Sequence, residues 1–438
     1  TGSYRVADPA DIIANEPDYF NQFTLVVATQ MAQAPLVALG KVCEEKGLPL
    51  AVARSYGFLG YLRLALTKPH EVIESKPDTE LYDLRMATPF PSLMEHCAGY
   101  DLDAMEDMDH AHTPYVVILI HAVQRWREAH DGQLPKGFGE KNEFKELVKS
   151  MARPQKESEI NFEEALSNAF RAYAEPTLDE DLVAILEQAR ARTLTNTSTQ
   201  FEVLCGALVS FVDGEGGGLP PLTGSIPDMH SDNPKYIALQ KVYLAKAAQD
   251  LAVMQGRVVE LSASVGLPTD FVSVEKVELF CRQAWSIKVL KTRSIGEEYA
   301  AATIDPDLLW DMAQEELITQ SPLLWYVGLR GVDRFQTAHG HFPGTEGADE
   351  ATLTSETAAV WAEMQGLCSE LSVELSQLDE GYAQEMVRVG GAELHNIAAV
   401  IGGVASQEIT KVLTHQWIPA NNTFIYNGIG GTAQTMEF

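Results

Sequence analysis

Apolar residues near the start of this chain recur in strand-like runs, and this pattern predicts an α/β fold. Residues 23–28 and 48–53 form apolar runs with the length of buried strands. Residues 32–47 between them carry helical spacing, which ends at Lys46 followed by Gly47, a common helix stop. Because a strand, a helix and a second strand follow one another within about 30 residues, they predict a βαβ unit and a parallel sheet.

Two further segments predict antiparallel strands, and the pattern then becomes helical. Residues 61–66 and 70–74 alternate between apolar and polar positions. Helices are predicted to open at Thr113 and at Asp232, since each can cap a helix whose first turn contains a proline. Further helical segments are 141–152, 159–173, 179–192, 197–212, 305–319, 321–339 and 369–387.

The predicted architecture is an α/β domain interrupted by a large helical insertion. The α/β part comprises residues 1–108 and 388–438, and the insertion comprises residues 109–387. The chain starts at Thr1 and reaches its first strand without a preceding glycine-rich turn. We therefore expect an N-terminal truncation that removes the first strand and the glycine loop.

A helical stripe near the C-terminus contains two adjacent glycines. Gly402 and Gly403 sit among apolar residues that recur every third or fourth position. Each glycine costs a helix interior about 1 kcal/mol relative to alanine, so the pair predicts that another backbone approaches closely. A glycine-kinked core helix is the alternative that the pattern leaves open. The stripe consists of Ile397, Val400, Ile401, Val404, Ile409, Val412 and Leu413.

Composition and charge exclude several classes of function. The net charge of −30 argues against a nucleic-acid partner, because such proteins present clustered Lys and Arg. No apolar run reaches the roughly 18 to 20 residues that span a bilayer, and the longest, residues 115–123, predicts a buried helix. The five cysteines are odd in number and far apart, which fits a reducing compartment without a disulfide framework.

Two clusters could in principle bind a ligand. Residues 214–219 are glycine-rich like a phosphate loop, but they end in leucine and follow a helical run, which favours a linker. Asp107, Asp109, His110 and His112 have metal-ligand chemistry. Asp and His at a helix entrance more often cap backbone N–H groups, so no metal site is predicted.

The cysteines offer little nucleophilic chemistry. Cys205 lies in an apolar run and is predicted to be a core residue, where burial raises its pKa. Cys281 has one basic neighbour and is the better candidate for a thiolate. No pair of cysteines has the spacing of a zinc site.

Five stretches of the chain resemble the adenylation fold of ubiquitin-like-modifier activating enzymes, the ThiF/MoeB superfamily. The Gly-Gly-x-x-x-Gln-Glu pattern that begins at Gly402, with residues 421–426 after it, is similar to the closing helix and last strand of that fold. Residues 219–229 with 235–240 narrow the resemblance to the regulatory, amyloid-precursor-binding-protein-like subunit of the heterodimer that starts neddylation. The other matching stretches are 23–30, 54–63, and 101–105 with 109–114.

The resemblance implies a fold and a division of labour. The fold is an incomplete Rossmann-like adenylation domain, interrupted by an insertion that corresponds to half of the catalytic-cysteine domain. The partner subunit is expected to carry ATP, zinc and the thioester cysteine, so this chain is expected to hold no catalytic, cofactor-binding or metal-binding residue. The implied partners are the catalytic subunit and a ubiquitin-like modifier, with no nucleic acid and no membrane, in the cytoplasm and nucleus.

The chain is therefore expected to work by binding, and the resemblance selects two segments as the interface. One is a rigid turn over residues 226–229 with the amphipathic helix after it, and the other is the helix that contains the paired glycines. On pattern alone, a helix packed inside its own domain explains the first segment equally well. The predicted interface residues are Pro227, Asp228, Met229, Tyr236, Leu239, Gln240, Tyr243, Gly402, Gly403 and Gln407.

Two other functions stay open at the level of the sequence. One is a single-chain ATP-dependent adenylating enzyme whose nucleotide loop lies upstream of Thr1. The other is the equivalent subunit of the SUMO pathway, although those subunits lack an insertion of this length. The resemblance also implies that an arginine before Thr1 reaches the partner's ATP site, so this chain is expected to bind its partner yet support adenylation poorly.

Overall fold

The computed structural model describes residues 2–77, 83–153, 159–174, 176–300, 322–345, 347–371, 375 and 377–437. The predicted helix over 305–319 lies outside these residues. Contacts divide the chain into two compact units. Unit 1 comprises Thr1–Val72 with Val289–Phe438, and unit 2 comprises Ile73–Lys288.

The secondary structure of the described residues alternates between strands and helices at both ends and is helical in the middle. The strands are β1 (Val26–Thr29), β2 (Leu50–Tyr56), β3 (Leu59–Ala65), β4 (His70–Val72), β5 (Lys288–Leu290), β6 (Thr423–Asn427) and β7 (Thr432–Met436). The helices are α1 (Pro9–Asn15), α2 (Gln33–Lys46), α3 (Pro91–Ala98), α4 (Asp107–Ala111), α5 (Tyr115–Ala129), α6 (Gly137–Ser150), α7 (Ile160–Asn168), α8 (Glu180–Ala191), α9 (Gln200–Asp213), α10 (Asn233–Ser264), α11 (Val274–Gln283), α12 (Ile295–Ala300), α13 (Pro322–His339), α14 (Glu350–Glu370), α15 (Glu380–Val389) and α16 (His395–Thr414). Short 3₁₀ turns cover Pro17–Gln22 and Ala169–Ala172.

Unit 1 is built on a five-stranded sheet in the order β1-β2-β3-β6-β7. Strands β1 and β2 are parallel, with Val26 opposite Leu50, and α2 crosses between them, which confirms the predicted βαβ unit. The later pairs are antiparallel, with Leu59 of β3 opposite Asn427 of β6. The predicted strand over 70–74 is shorter and pairs as β4 with β5, outside this sheet.

Helices cover both faces of the sheet, and every residue of β3 is buried as a result. On one face, Ala405 of α16 packs with Leu62 and Leu64 of β3. On the other face, Tyr61 shares the main apolar cluster with Leu39 of α2 and with α13. Alternate residues of one strand therefore serve two helical layers, and the predicted α/β class is confirmed.

Unit 2 is helical and is organised around helix α5, whose first six residues are all apolar. Residues 116–120 of α5 are all buried, in the same cluster as residues of α3, α6 and α10. The predicted start of α10 is confirmed, since the Asp232 carboxylate accepts the N–H of Lys235 at 2.8 Å. The predicted cap at Thr113 is wrong, because its hydroxyl donates to the Asp109 carbonyl at 3.0 Å and α5 begins at Tyr115.

The division into units differs from the predicted boundaries at residues 108 and 388. Residues 83–102 contribute Leu84, Phe90 and Leu93 to the core of unit 2. Residues 322–387 contribute α13, α14 and α15 to the core of unit 1. The predicted boundaries were placed where strand-like sequence gives way to helical sequence. The two units are instead defined by which hydrophobic core each helix packs into.

Candidate partner interface

The outward face of α16 carries no charged side chain. None of its exposed residues is Asp, Glu, Lys or Arg, and they include Gly402, Gly403 and Gln407. At the chain's average of 21% charged residues, a helix of 20 residues would hold about four. The helix has two, Glu408 and Lys411, and neither is exposed. A charge-depleted surface is the composition found at the centre of protein interfaces.

The single acidic residue of α16 is turned inward and satisfied there. One carboxylate oxygen of Glu408 accepts a hydrogen bond from Lys411 Nζ at 2.6 Å, and the other accepts the N–H of Ala420 at 2.8 Å. Glu408 therefore fixes the loop after α16 to the helix. Its inward orientation leaves the outer face neutral.

The paired glycines meet nothing within their own chain. A Cβ atom built on Gly402 or Gly403 would have no neighbour within 4 Å, and both residues are exposed. The interpretation as a kinked core helix is therefore wrong. Among the described residues nothing approaches these glycines closely, so the predicted approach of another backbone stays a prediction.

Part of the predicted apolar stripe of α16 also faces outward. Ile397, Ile401 and Val412 are buried, as predicted. Val400 is exposed, and Leu413 has 52% of its surface exposed. Apolar residues occupy both a buried and an exposed side of this helix. The spacing of apolar residues in the sequence could not separate the two sides, so it predicted a single wide buried stripe.

Three of the predicted interface residues before and on α10 belong to the core instead. Leu239 and Tyr243 are fully buried, and Met229 is almost so, in the cluster around α5. The Tyr243 hydroxyl donates to the carbonyl of Leu84 at 2.6 Å. These side chains satisfy their contacts inside unit 2, so their assignment to an interface is corrected.

The other predicted residues of this segment remain at the surface. Asp228 is exposed, while Pro227, Tyr236 and Gln240 are partly buried. Their role in binding stays a prediction.

Sequence reasoning missed an exposed apolar stripe on the opposite side of α10. Ile237, Leu244 and Val259 are exposed, and the exposed alanines Ala248 and Ala252 lie on the same helical face. The signal was present, because Ile237 and Leu244 follow Tyr236 and Tyr243 with the same spacing of seven. Unit 2 covers one apolar side of this helix, and the described residues leave the other side exposed.

A buried ionic network holds α12 and α13 to the sheet of unit 1. Arg63 Nε of β3 donates to Glu298 at 2.6 Å, and Tyr326 donates to the second oxygen of Glu298 at 2.6 Å. Burial by itself would lower the pKa of Arg63, but the carboxylate of Glu298 outweighs it and the pKa is raised. The Arg330 guanidinium lies 3.5 Å from the ring centroid of Tyr299. This network ties both helices to strand β3.

The cluster of Asp and His near residue 109 is paired within unit 2. His110 Nδ1 lies 2.7 Å from Glu159, and both side chains are buried. Lys235 donates to Asp109 at 2.8 Å, and Arg153 donates to Asp107 at 2.6 Å. His112 Nδ1 donates to the Met108 carbonyl at 2.8 Å. Across the described residues, no group of three or more metal-ligating side chains is arranged to hold an ion.

The remaining candidates for chemistry are structural. Burial raises the pKa of Cys281 to about 12, so its thiol stays protonated at neutral pH. Cys205 is buried in α9, as predicted. The glycine-rich loop over 214–218 follows α9 rather than a strand, which is the wrong context for a phosphate loop.

Among the described residues, no helix combines the length and apolar character needed to cross a bilayer.

Comparison with known proteins gives a consistent set of relatives. The chain is 37% identical over 441 residues to the NEDD8-activating enzyme E1 regulatory subunit of Xenopus laevis, covering 100% of this chain and 81% of the relative. It is 36% identical to the subunit of the same name from Danio rerio, with the same coverage. The NEDD8-activating enzyme E1 regulatory subunit AXL of Arabidopsis thaliana is 38% identical over 98% of this chain and 80% of its own length. No protein-family model matches the chain.

Proposed function

The chain belongs to the family of NEDD8-activating enzyme E1 regulatory subunits, and from this premise we propose that it is the noncatalytic half of a heterodimer that activates a ubiquitin-like modifier for neddylation. Its partners in this proposal are a catalytic subunit and the modifier NEDD8. The single-chain adenylating enzyme and the SUMO-pathway subunit are not favoured, because the relatives bear the name of regulatory subunit.

The observation that carries this proposal is the neutral face of α16. In a chain with a net charge of −30, a 20-residue helix presents a surface without a charged side chain. Gly402 and Gly403 keep this surface flat at a cost of about 1 kcal/mol each in helix propensity. Such a cost is offset when a second backbone packs against the helix, so we assign this face to the catalytic subunit.

The exposed stripe of α10 offers unit 2 a surface of its own. Leu244 is 51% exposed, and the same face carries Ile237 and Ala248 together with the exposed Lys241. Burial of an aliphatic side chain of this size stabilises an interface by about 1.5–3 kcal/mol. We propose that this stripe contacts the catalytic subunit as well, and that unit 2 supplies half of the cavity for the modifier.

The chemistry of activation is assigned to the partner, which would carry ATP, zinc and the thioester cysteine. In support, burial raises the pKa of Cys43 and of Cys368 to about 11, and that of Cys97 and of Cys281 to about 12. A thiol with such a pKa is almost entirely protonated at pH 7, and the thiolate is the nucleophile. The proposal also places the chain in the cytoplasm and nucleus, where such conjugation would proceed.

Co-expression with the catalytic subunit of NEDD8-activating enzyme from the same organism tests the proposal. Wild-type chain should co-elute with the catalytic subunit in size-exclusion chromatography. Gly403→Leu should weaken the complex more than about tenfold, because it adds a side chain to the face that docks. Gly139→Leu on α6 is the matched control, since Gly139 is also exposed with nothing within 4 Å of a built Cβ and lies on neither proposed surface.

Two results would overturn the proposal. One is the absence of any complex between the wild-type chain and the catalytic subunit. The other is formation of a modifier adenylate by the isolated chain with ATP, which identifies a single-chain adenylating enzyme. Loss of binding in both glycine variants would remove the assignment to α16 while leaving the heterodimer intact.

A further inference from the structure

The neutral surface of α16 continues into the segment that follows the helix. Residues 412–436 contain no Asp, Glu, Lys or Arg, although a stretch of this length would hold about five at the chain's average of 21%. Leu413, near the end of α16, lies on the same helical face as Gly402 and Ser406, and 52% of its surface is exposed. The face assigned to the catalytic subunit therefore reaches the end of the helix and the loop after it.

The loop over residues 415–420 exposes two large apolar side chains. Trp417 has 43% of its surface exposed and Ile418 has 41%. Both lie within five positions of the exposed Leu413. Tryptophan is among the residue types most enriched at the few positions that carry most of the binding energy of an interface. The loop thus adds an aromatic side chain of this type to the neutral surface.

The backbone of this loop is strained at two positions. His415 has a φ of 55° and Trp417 has a φ of 57°, in the left-handed region that side chains other than glycine rarely adopt. His415 takes this conformation as the residue that ends α16, which is a common way for a helix to stop. Trp417 lies beyond the helix end, so helix termination does not explain its conformation. Strained residues of this kind concentrate at functional sites, where the surrounding contacts hold them in place.

Hydrogen bonds fix this loop at both of its ends. At the start, His415 Nδ1 donates to the Glu71 carbonyl at 2.8 Å. At the end, the N–H of Ala420 donates to the Glu408 carboxylate at 2.8 Å. The loop is therefore ordered before any partner arrives, and Trp417 can dock without the entropy cost of ordering a mobile segment.

We propose that Trp417 is the anchor of the contact with the catalytic subunit and that it inserts, beside Ile418, into an apolar pocket of that subunit. This inference rests on the proposed function, because it names residues of the same docking face. The loop offers no charge to compensate a charged lining, and burying an unpaired charge is costly, so the matching pocket is apolar. The strain at Trp417 is the means by which the loop holds this side chain in its docking position.

Hydroxyl-radical footprinting of the free chain and of the co-expressed complex tests the proposal. Oxidation of the Trp417 side chain should fall by about fivefold or more in the complex, because the centre of an interface excludes water. Phe138 on α6 is the matched control within the same sample, since it is 84% exposed and lies on neither proposed surface. Its oxidation should be equal in both states.

Two variants measure the contribution of the anchor to affinity. Trp417→Asn should weaken the complex by about thirtyfold or more, because it removes the aromatic side chain. Asparagine tolerates the left-handed conformation, so the backbone of the loop keeps its course. Phe138→Asn should bind the catalytic subunit as tightly as wild type.

The outcomes separate this inference from the proposed function. If the wild-type complex forms but Trp417 is oxidised equally in both states, or Trp417→Asn binds as wild type does, the anchor is overturned and the heterodimer stands. If no complex forms, the proposed function and the anchor both fail. Protection of Trp417 that grows with the concentration of the isolated chain would assign the loop to a second copy of this chain, which also overturns the proposal.

Discussion

Replacing both outward glycines of α16 by alanine should stabilise the isolated chain and weaken its complex. Gly402 and Gly403 have helical backbone conformations, both are exposed, and a Cβ on either would meet nothing within 4 Å. The gain therefore comes from helix propensity, at about 1 kcal/mol for each substitution and about 2 kcal/mol for the pair. No packing penalty opposes it in the described structure.

The effect on the heterodimer should have the opposite sign. If the backbone of the catalytic subunit approaches α16 closely, two added methyl groups overpack that contact by about 1–3 kcal/mol. The dissociation constant should then rise by a factor of about 5 to 150. The same pair of substitutions should thus raise the free energy of unfolding of the isolated chain and lower its affinity for the catalytic subunit.

Urea unfolding of the isolated chain measures the first effect, and titration with the catalytic subunit measures the second. Gly139→Ala on α6 is the matched control, because Gly139 is exposed, a Cβ there would meet nothing within 4 Å, and the change should stabilise the chain without loss of affinity. If the double variant Gly402→Ala with Gly403→Ala unfolds at the same urea concentration as wild type, contacts within the chain itself must oppose the gain in helix propensity. A stabilised variant with wild-type affinity would refute the close approach.

Three further perturbations test the cores beneath the surfaces. Tyr243→Phe leaves the Leu84 carbonyl unpaired and should cost about 1–2 kcal/mol in urea unfolding, with no change in affinity for the catalytic subunit. Glu298→Gln should cost about 3–5 kcal/mol because it strands the buried charge of Arg63, and combining Glu298→Leu with Arg63→Met should restore much of this loss. Burial, helped by the nearby histidine at 415, lowers the pKa of His70 from 6.5 to about 4. The unfolded chain therefore takes up this proton first, so stability should fall between pH 6.5 and 4, and a His70→Gln variant with an equally steep fall would contradict this account.

The part of the fold that is local in sequence was predictable. Strand β1, helix α2 and strand β2 follow from two apolar runs with a helical segment between them, and Gly47 ends the helix in the left-handed conformation as its sequence indicated. The membership of a helix in a core was not predictable. Helix α13 joins the sheet of unit 1 through residues that are far from it in sequence, and its apolar pattern would suit either core.

At the candidate interface, too, the sequence did not show which side chains are buried. On α10, Tyr236 and Tyr243 share a stripe, and Ile237 and Leu244 share another of equal spacing. The spacing of apolar residues predicts two apolar faces on α10, but only the packing of α10 around α5 shows which of the two is buried. The glycines of α16 could be singled out from the sequence because their cost in a helix is local and independent of the tertiary contacts, and their role in binding stays a prediction.

Because unit 2 is inserted between β3 and β6, strand β3 is synthesised long before the strand with which it pairs. Leu59 of β3 pairs with Asn427 of β6, so 368 positions separate the two partners. At about 5–20 residues per second, translation takes roughly 20 to 70 seconds to supply that second strand. Unit 2 is contiguous and can fold within the interval, while β3 waits with one edge bare. Nascent chains of this protein should therefore depend on chaperones that shield strand edges until β6, from Thr423 onward, emerges.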